Sequence, residues 1–349
     1  MTAAPEVLPA APDGPGGPDA PDAPEKQALG RRVRETLHAN PVLGPAAVLL
    51  LSVAAFAMGS DRFLDPTNIS LIVQQVAVVG VLALGQTLII LTAGIDLSVG
   101  AIMVLSSIVM AKLSAEVGLP GPVALLAGFA TGLLCGLVNG FLVTRLKLPP
   151  FIVTLGTLNV FFALNLFLSG SATVRGTDMS PWLLVMGETF PFLGTRITLG
   201  SVVLLLACLA LAYALRQTGW GRHVYAIGDD REAARLSGIR VNRMLLSVYA
   251  VAGLVYGLAA WVLIGRISAA SPQAGIDDNL NSITAVVLGG TSLFGGRGAI
   301  VGTLVGALIV GVFRNGLTLV GVESLWQNFA VGILVIVAVS IDQWIRKPA

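Results

Sequence analysis

Residues 70–93 read SLIVQQVAVVGVLALGQTLIILTA, a stretch without a single charged side chain. A helix of about 20 apolar residues crosses the roughly 30 Å of hydrocarbon in a bilayer while satisfying its backbone hydrogen bonds internally. Similar runs flank this one. Apolar runs between charge and turn clusters place spans at 43–59, 70–93, 97–117, 121–143, 151–169, 197–215, 244–264, 278–293, 298–313 and 323–344. The expected fold is all-α, a polytopic membrane protein of about ten transmembrane helices.

Composition supports this reading: 55% of the 349 residues are hydrophobic and 11% charged, which excludes an ordinary soluble domain. Cys135 and Cys208 sit inside apolar runs, and His38 and His223 lie far apart in the sequence, so no disulfide, metal site or histidine relay is expected. The net charge of +2 says little about partners, and no nucleic-acid partner is expected.

Residues 1–40 form a Pro/Ala/Gly-rich segment, expected to be a disordered cytoplasmic tail without a secretory signal. Residues 41–346 form the membrane domain, with a polar cytoplasmic loop at 216–243. Basic residues set the orientation. Arg31, Arg32 and Arg34 precede the first span, Arg145 and Lys147 follow the fourth, and Arg346 and Lys347 follow the last. Both termini are therefore expected in the cytoplasm. The loop after the sixth span carries Arg216, Arg222, Arg231, Arg235, Arg240 and Arg243, and the parity of the spans puts it on the same side. The 169–196 segment becomes the longest external connection.

Gly136-Leu137-Val138-Asn139-Gly140 closes the fourth span and Gly311-Val312-Phe313-Arg314-Asn315-Gly316 the ninth. An offset of five spans inverts topology, which suggests an inverted repeat of spans 2–5 and 7–10; chance recurrence of ordinary helix-end residues is the competing account.

Within the polar loop, Asp229 or Asp230 is placed to cap a helix, Glu232 suits a capping box, and Gly238 supplies a left-handed stop. Ala233, Ala234, Leu236 and Ile239 give this short helix an apolar face beside Arg231 and Arg235. It reads either as an insert for a groove on another protein or as a solvated loop helix.

Four segments resemble, in order, the permease subunits of bacterial ATP-binding-cassette importers of the monosaccharide group, the ribose, xylose, arabinose and galactose permeases. They are Leu91–Gly100, then Gly136–Gly140 with Leu148–Thr157, the polar loop, and Gly289–Gly298. The resemblance covers about residues 43–345 and implies that Glu232, Ala233, Ala234, Arg235 and Gly238 form the coupling helix that receives motion from a separate ATPase. The Ile-x-Leu-Pro ending found in other importer permeases is missing after Gly238. The resemblance also implies a bacterial plasma-membrane location, a second permease subunit (identical or closely related), an ATPase that holds ATP and magnesium, and an extracytoplasmic solute-binding protein.

The chain itself is expected to bind no cofactor and to hold no catalytic residue. The glycine-rich 289–298 segment lacks the Gly-Lys-Ser/Thr of a phosphate loop, and none of Lys26, Lys112, Lys147 and Lys347 follows a glycine. Its glycines are expected to give a tight turn and close helix packing. Asp96 either marks a function or caps the third span. Gln86, Asn139, Thr154, Thr157, Asn159, Thr284 and Thr291 are, with Asp96, candidates to line a path for an uncharged, hydroxyl-rich solute; interhelical hydrogen bonding is the alternative. Arg62, Arg175, Arg196 and Arg266 are candidates to meet the binding protein, against snorkelling to lipid headgroups. A secondary transporter or channel would place ionisable groups along its path, and those are nearly absent. A membrane enzyme acting on a diphosphate needs paired acids on one side, whereas Asp229-Asp230 and Asp277-Asp278 fall on opposite faces.

Overall fold

The apolar runs fold into helices that bury their middles and expose their apolar flanks. A computed structural model describes residues 42–275 and 277–346, so the expected tail at 1–40 lies outside the described residues. Helices run in the order α1 (Leu43–Gly59), α2 (Pro66–Leu91), α3 (Val99–Ala115), α4 (Gly121–Arg145), α5 (Pro150–Ser169), α6 (Pro181–Leu184), α7 (Leu199–Gln217), α8 (Gly219–Asp229), α9 (Arg231–Leu236), α10 (Val241–Ile267), α11 (Asp278–Leu288), α12 (Ile300–Leu319) and α13 (Ser324–Arg346). Among the described residues, α2, α4, α5, α7, α10 and α12 are long and apolar enough to cross a membrane, and α1 and α3 are shorter apolar helices. The protein is a multi-pass, all-α membrane protein.

Burial separates the centre from the rim. The most apolar window of α2 is 83% buried and that of α10 72%, against 28% for α5 and α7. Leu126 on α4, Phe167 on α5 and Leu209 on α7 point outward, as side chains do whose surroundings are hydrocarbon.

Small residues bring the central helices together. Gly132 and Gly136 of α4 face Gly253 and Gly257 of α10 so closely that a Cβ on Gly132 or Gly253 would strike the opposite backbone. Helices that gain nothing from excluding water gain from this close van der Waals approach instead. The contacts also repeat. α4 packs on α10 as α12 packs on α2; α3 packs on α4, α5 and α10 as α11 packs on α12, α13 and α2. Exchanging α2–α5 with α10–α13 thus preserves the pattern of neighbours, with α2 and α10 in mutual contact at the centre.

Two helices start deep inside. At 1.5 Å per residue, the 11 residues of α11 extend only about 16 Å, roughly half the hydrocarbon thickness. The Asn279 amide at its start donates to the carbonyl of Leu97, next to the start of α3. A Cβ on Gly100 would meet the carbonyl of Gly275. The N-terminal ends of α3 and α11 therefore meet, reached by non-helical chain from opposite ends of the bundle. The expected full crossing at 278–293 is thus a half-crossing helix followed by a loop.

One end of the bundle carries the small extramembrane structure between α5 and α7. There β1 (Val174–Arg175) pairs antiparallel with β4 (Ala269–Ala270), and β2 (Thr189–Phe192) forms a hairpin with β3 (Thr195–Thr198). Thr195 and the backbone of Arg196 hold this hairpin to α2 through Pro66 and Ser70. The opposite end carries α8 and α9.

Candidate functional site

The site builds from the polar loop. Asp230, in extended conformation, caps α9: its Oδ1 accepts from the amides of Glu232 and Ala233 at 2.8 and 3.0 Å. Glu232 does not complete a capping box. Its carboxylate instead accepts from Arg235, Nε to Oε2 at 3.0 Å, and that guanidinium holds the carboxyl below the usual carboxylate range. Gly238 adopts φ +85° and ends the helix, with its amide donating to Arg235 and that of Ile239 to Ala234.

Ala234 is buried against Ile227 of α8 and Val241 and Leu245 of α10, with Ile239 packed alongside. Two of the four apolar residues expected on one outward face therefore turn inward. Ala233 and Leu236 stay exposed beside Arg231, Glu232 and Arg235, so α9 presents a small mixed ridge.

Below this ridge lies a junction of three backbones. The amide of Gly296, in the glycine-rich loop, donates to the carbonyl of Leu91 at the end of α2 at 3.0 Å. A Cβ on Gly228, near the end of α8, would collide with both of those groups. Gly295 and Gly296 have φ of +86° and +68°, a left-handed turn that β-carbons disfavour. Tyr225 of α8 donates to the carbonyl of Gly298 at 2.9 Å, and Trp220 to Ser247 of α10 at 2.9 Å. At the other end of this loop, Gly289 and Gly302 let α11 and α12 touch backbone to backbone. The glycine-rich segment therefore joins α11 to α12 and also seats both against the α8–α9 unit. Charge pattern alone gave no hint of the second contact.

The expected path residues do not share one surface. Asp96 is buried, and its Oδ1 accepts from the amide and hydroxyl of Ser98 at 2.8 and 2.6 Å; Asn139 donates to the same hydroxyl at 2.9 Å. Thr154 donates to the carbonyl of Ile95 at 3.1 Å. Asp96, Asn139 and Thr154 thus tie α4 and α5 to the chain entering α3. Gln86 accepts from Tyr256 at 3.5 Å across the α2–α10 contact. Thr157, Thr284 and Thr291 are buried elsewhere, and Asn159 lies exposed on α5, bonded to its own helix at Leu155. Arg62, Arg175, Arg196 and Arg266 all lie exposed at the hairpin end. No group of three or more potential metal ligands occurs among the described residues.

A multi-pass helical bundle with a capped ridge at one end, joined by backbone contacts to a half-crossing helix, defines a polytopic membrane protein rather than a soluble or single-span one. A model of the family described as branched-chain amino acid transport system / permease component matches residues 68–339. The chain is 49% identical over 327 residues to the fructose import permease protein FrcC of Rhizobium meliloti, covering 93% of this chain and 91% of the relative. It is 42% identical over 301 residues to the ribose import permease protein RbsC of Bacillus subtilis, with coverages of 86% and 92%. It is 35% identical over 305 residues to the D-allose transport system permease protein AlsC of Escherichia coli, with coverages of 87% and 92%. The chain belongs to this family of transport permeases, and its relatives named here are sugar permeases, whatever solute the family description mentions.

Proposed function

We propose that this chain is the membrane-spanning subunit of an importer for a monosaccharide, driven by a separate ATPase. The observation that carries the reading is the α9 ridge, a capped six-residue helix fixed by Ala234 and bonded through neighbouring backbone to α2 and to the loop between α11 and α12. Such a helix delivers a push at its exposed ridge to the central helices without losing it in a flexible loop. The relatives' names supply the substrate class, and the buried polar groups inside the bundle are mainly neutral.

In this reading the α8–α9 end faces the cytoplasm of a bacterium and docks on the ATPase, which holds ATP and magnesium. The hairpin end receives a solute-binding protein, with Arg62, Arg175, Arg196 and Arg266 as candidate contacts. A second permease subunit, the same chain or a close relative, completes the pathway. The subunit moves solute and makes or breaks no covalent bond.

Affinity purification of the chain from its native membrane in mild detergent, followed by mass spectrometry, tests the assembly. Recovery of an ATPase and a solute-binding protein that is stabilised on heating by a pentose or hexose supports the reading. Reproducible recovery of the folded chain alone contradicts it.

A further inference from the structure

A cavity of about 240 Å³ opens at the hairpin end between α2, α10, α11, α12 and α13. Its polar wall is made by Gln75, Arg266, Asp278, Asn281, Arg314 and Gln327, and its apolar wall by α2 and α12. Its volume lies just below the roughly 300–1,000 Å³ that accommodates drug-sized ligands, a size for one sugar ring.

One wall of the cavity is the first turn of α11, where Asp278 and Asn281 flank the Asn279 that meets the chain entering α3. Broken helices in transporters place their ends at the solute site in this way, because non-helical backbone at membrane depth is tolerated only where it is covered by protein or lines a cavity. The charges are also held apart. Among the described residues, Asp278 forms no ion pair with Arg266 or Arg314. Asn281 donates to Asp278 Oδ1 at 3.4 Å, leaving the second carboxylate oxygen open. Arg314 donates through Nη2 to Asn328 at 3.1 Å, while its buried Nε has no partner. Asp278 and Arg314 thus line the cavity near each other and near the exposed Arg266 without closing an ion pair, and ionisable groups set inside a membrane bundle mark solute pathways.

We infer that this cavity is a monosaccharide-binding station within the permease itself, an inference that rests on the function proposed above. A sugar hydroxyl both donates and accepts. Neighbouring hydroxyls therefore bridge the acceptor-only carboxylate of Asp278 and the donor-only guanidinium of Arg314, with carboxamides on either side and an apolar ring face against α2 and α12. A cation would face two guanidiniums, and an anion would face Asp278.

The test uses the complete transporter with its binding protein in proteoliposomes, and radiolabelled D-fructose, D-ribose and D-allose as probes, for wild type and for Asp278→Asn and Asn281→Ala. The expected result is a fall of about tenfold in uptake per ATP hydrolysed, the loss of one hydrogen bond to a charged group, together with a changed ratio among the sugars. Complex yield and basal ATP hydrolysis stay at the wild-type level. Unchanged uptake, or a fall with the sugar ratio unaltered, overturns the inference. If the variants fail to assemble, saturation-transfer NMR of D-fructose on the wild-type complex without binding protein decides. Signal transfer that excess D-ribose abolishes and excess D-gluconate leaves intact supports the station. No transfer, or displacement by gluconate, overturns it. Wild type that takes up none of the sugars contradicts the proposed function itself, a result separate from either failure of the cavity.

Discussion

Gly296 donates its amide to the carbonyl of Leu91 at 3.0 Å, with Gly228 pressed against both groups. Three segments far apart in sequence therefore share one backbone contact beneath the α9 ridge, and a rotation of α8 has no free space to absorb it.

Replacing Gly228 by alanine puts a methyl group where only backbone surrounds it. Overpacking of this kind costs about 1–3 kcal/mol. The expected outcome is a chain that still inserts but melts at a lower temperature in detergent, with more ATP hydrolysed per solute moved. Fluorescence-detected size exclusion after heating, together with paired uptake and phosphate-release assays, checks both parts.

The ridge itself is tested by Glu232→Arg and Gly238→Leu. The first removes the pair with Arg235 and reverses charge at the docking face; the second places a branched side chain at φ +85°, where left-handed backbone costs about 1–2 kcal/mol. Membrane levels are expected to stay near wild type while ATP hydrolysis no longer drives uptake. Normal coupling in both variants contradicts the role given to α9.

Asp96 accepts two bonds from Ser98 deep in the bundle, and Asp96→Ala leaves a buried amide and hydroxyl unsatisfied at about 1–3 kcal/mol each. Asp96→Asn keeps an acceptor oxygen. Thermal stability of the solubilised protein should therefore drop much further for alanine than for asparagine, and equal drops would show that the carboxylate charge, not the acceptor, matters.

At the hairpin end, Asn68 and Asn315 exchange hydrogen bonds of 2.9 and 2.8 Å between α2 and α12. Asn68→Leu strands the Asn315 amide and the Phe63 carbonyl, whereas Asn315→Leu leaves Asn68 Nδ2 donating to Phe63 at 2.8 Å and strands only its carboxamide oxygen, each loss costing about 1–2 kcal/mol in a helix bundle. The double leucine variant removes both, so its loss of stability is expected to be smaller than the sum of the single losses. A double-mutant cycle by thermal unfolding in detergent measures the difference.

Helix class and the position of the polar loop were legible because hydrophobic length and punctuation carry them. Pro66, Pro150 and Gly238 stop or start helices for reasons local to the chain. Other features depend on depth and partner, which a linear pattern does not encode. Within 278–293 the near-continuous apolar stretch is only Ile283–Gly290, flanked by Asp278, Asn279, Asn281 and Ser282 on one side and Thr291 and Ser292 on the other, so counting the polar ends as part of a span hid the half-crossing Asp278–Leu288. Asp230 rather than Asp229 caps α9, because only Asp230 leaves the helical conformation there. Of the hydroxyls and carboxamides chosen as path residues, Asn139 and Thr154 bond to the chain entering α3, while Gln86 Nε2, Asn139 Oδ1 and Thr291 Oγ1 are buried without a hydrogen-bond partner. The cavity instead uses Arg266, Asp278 and Arg314, charges at the edges of apolar runs. Asp278 and Arg314 fall inside or beside expected spans, a usable signal that the span boundaries obscured.

ATP-driven import is measured as sugar uptake by proteoliposomes holding the permease with its ATPase, supplied with the binding protein and with ATP on the ATPase side. The expected result is accumulation of a monosaccharide against its gradient that stops without ATP, without binding protein, or with Glu232→Arg. Uptake that proceeds down the gradient by the permease alone, unaffected by ATP, would contradict it.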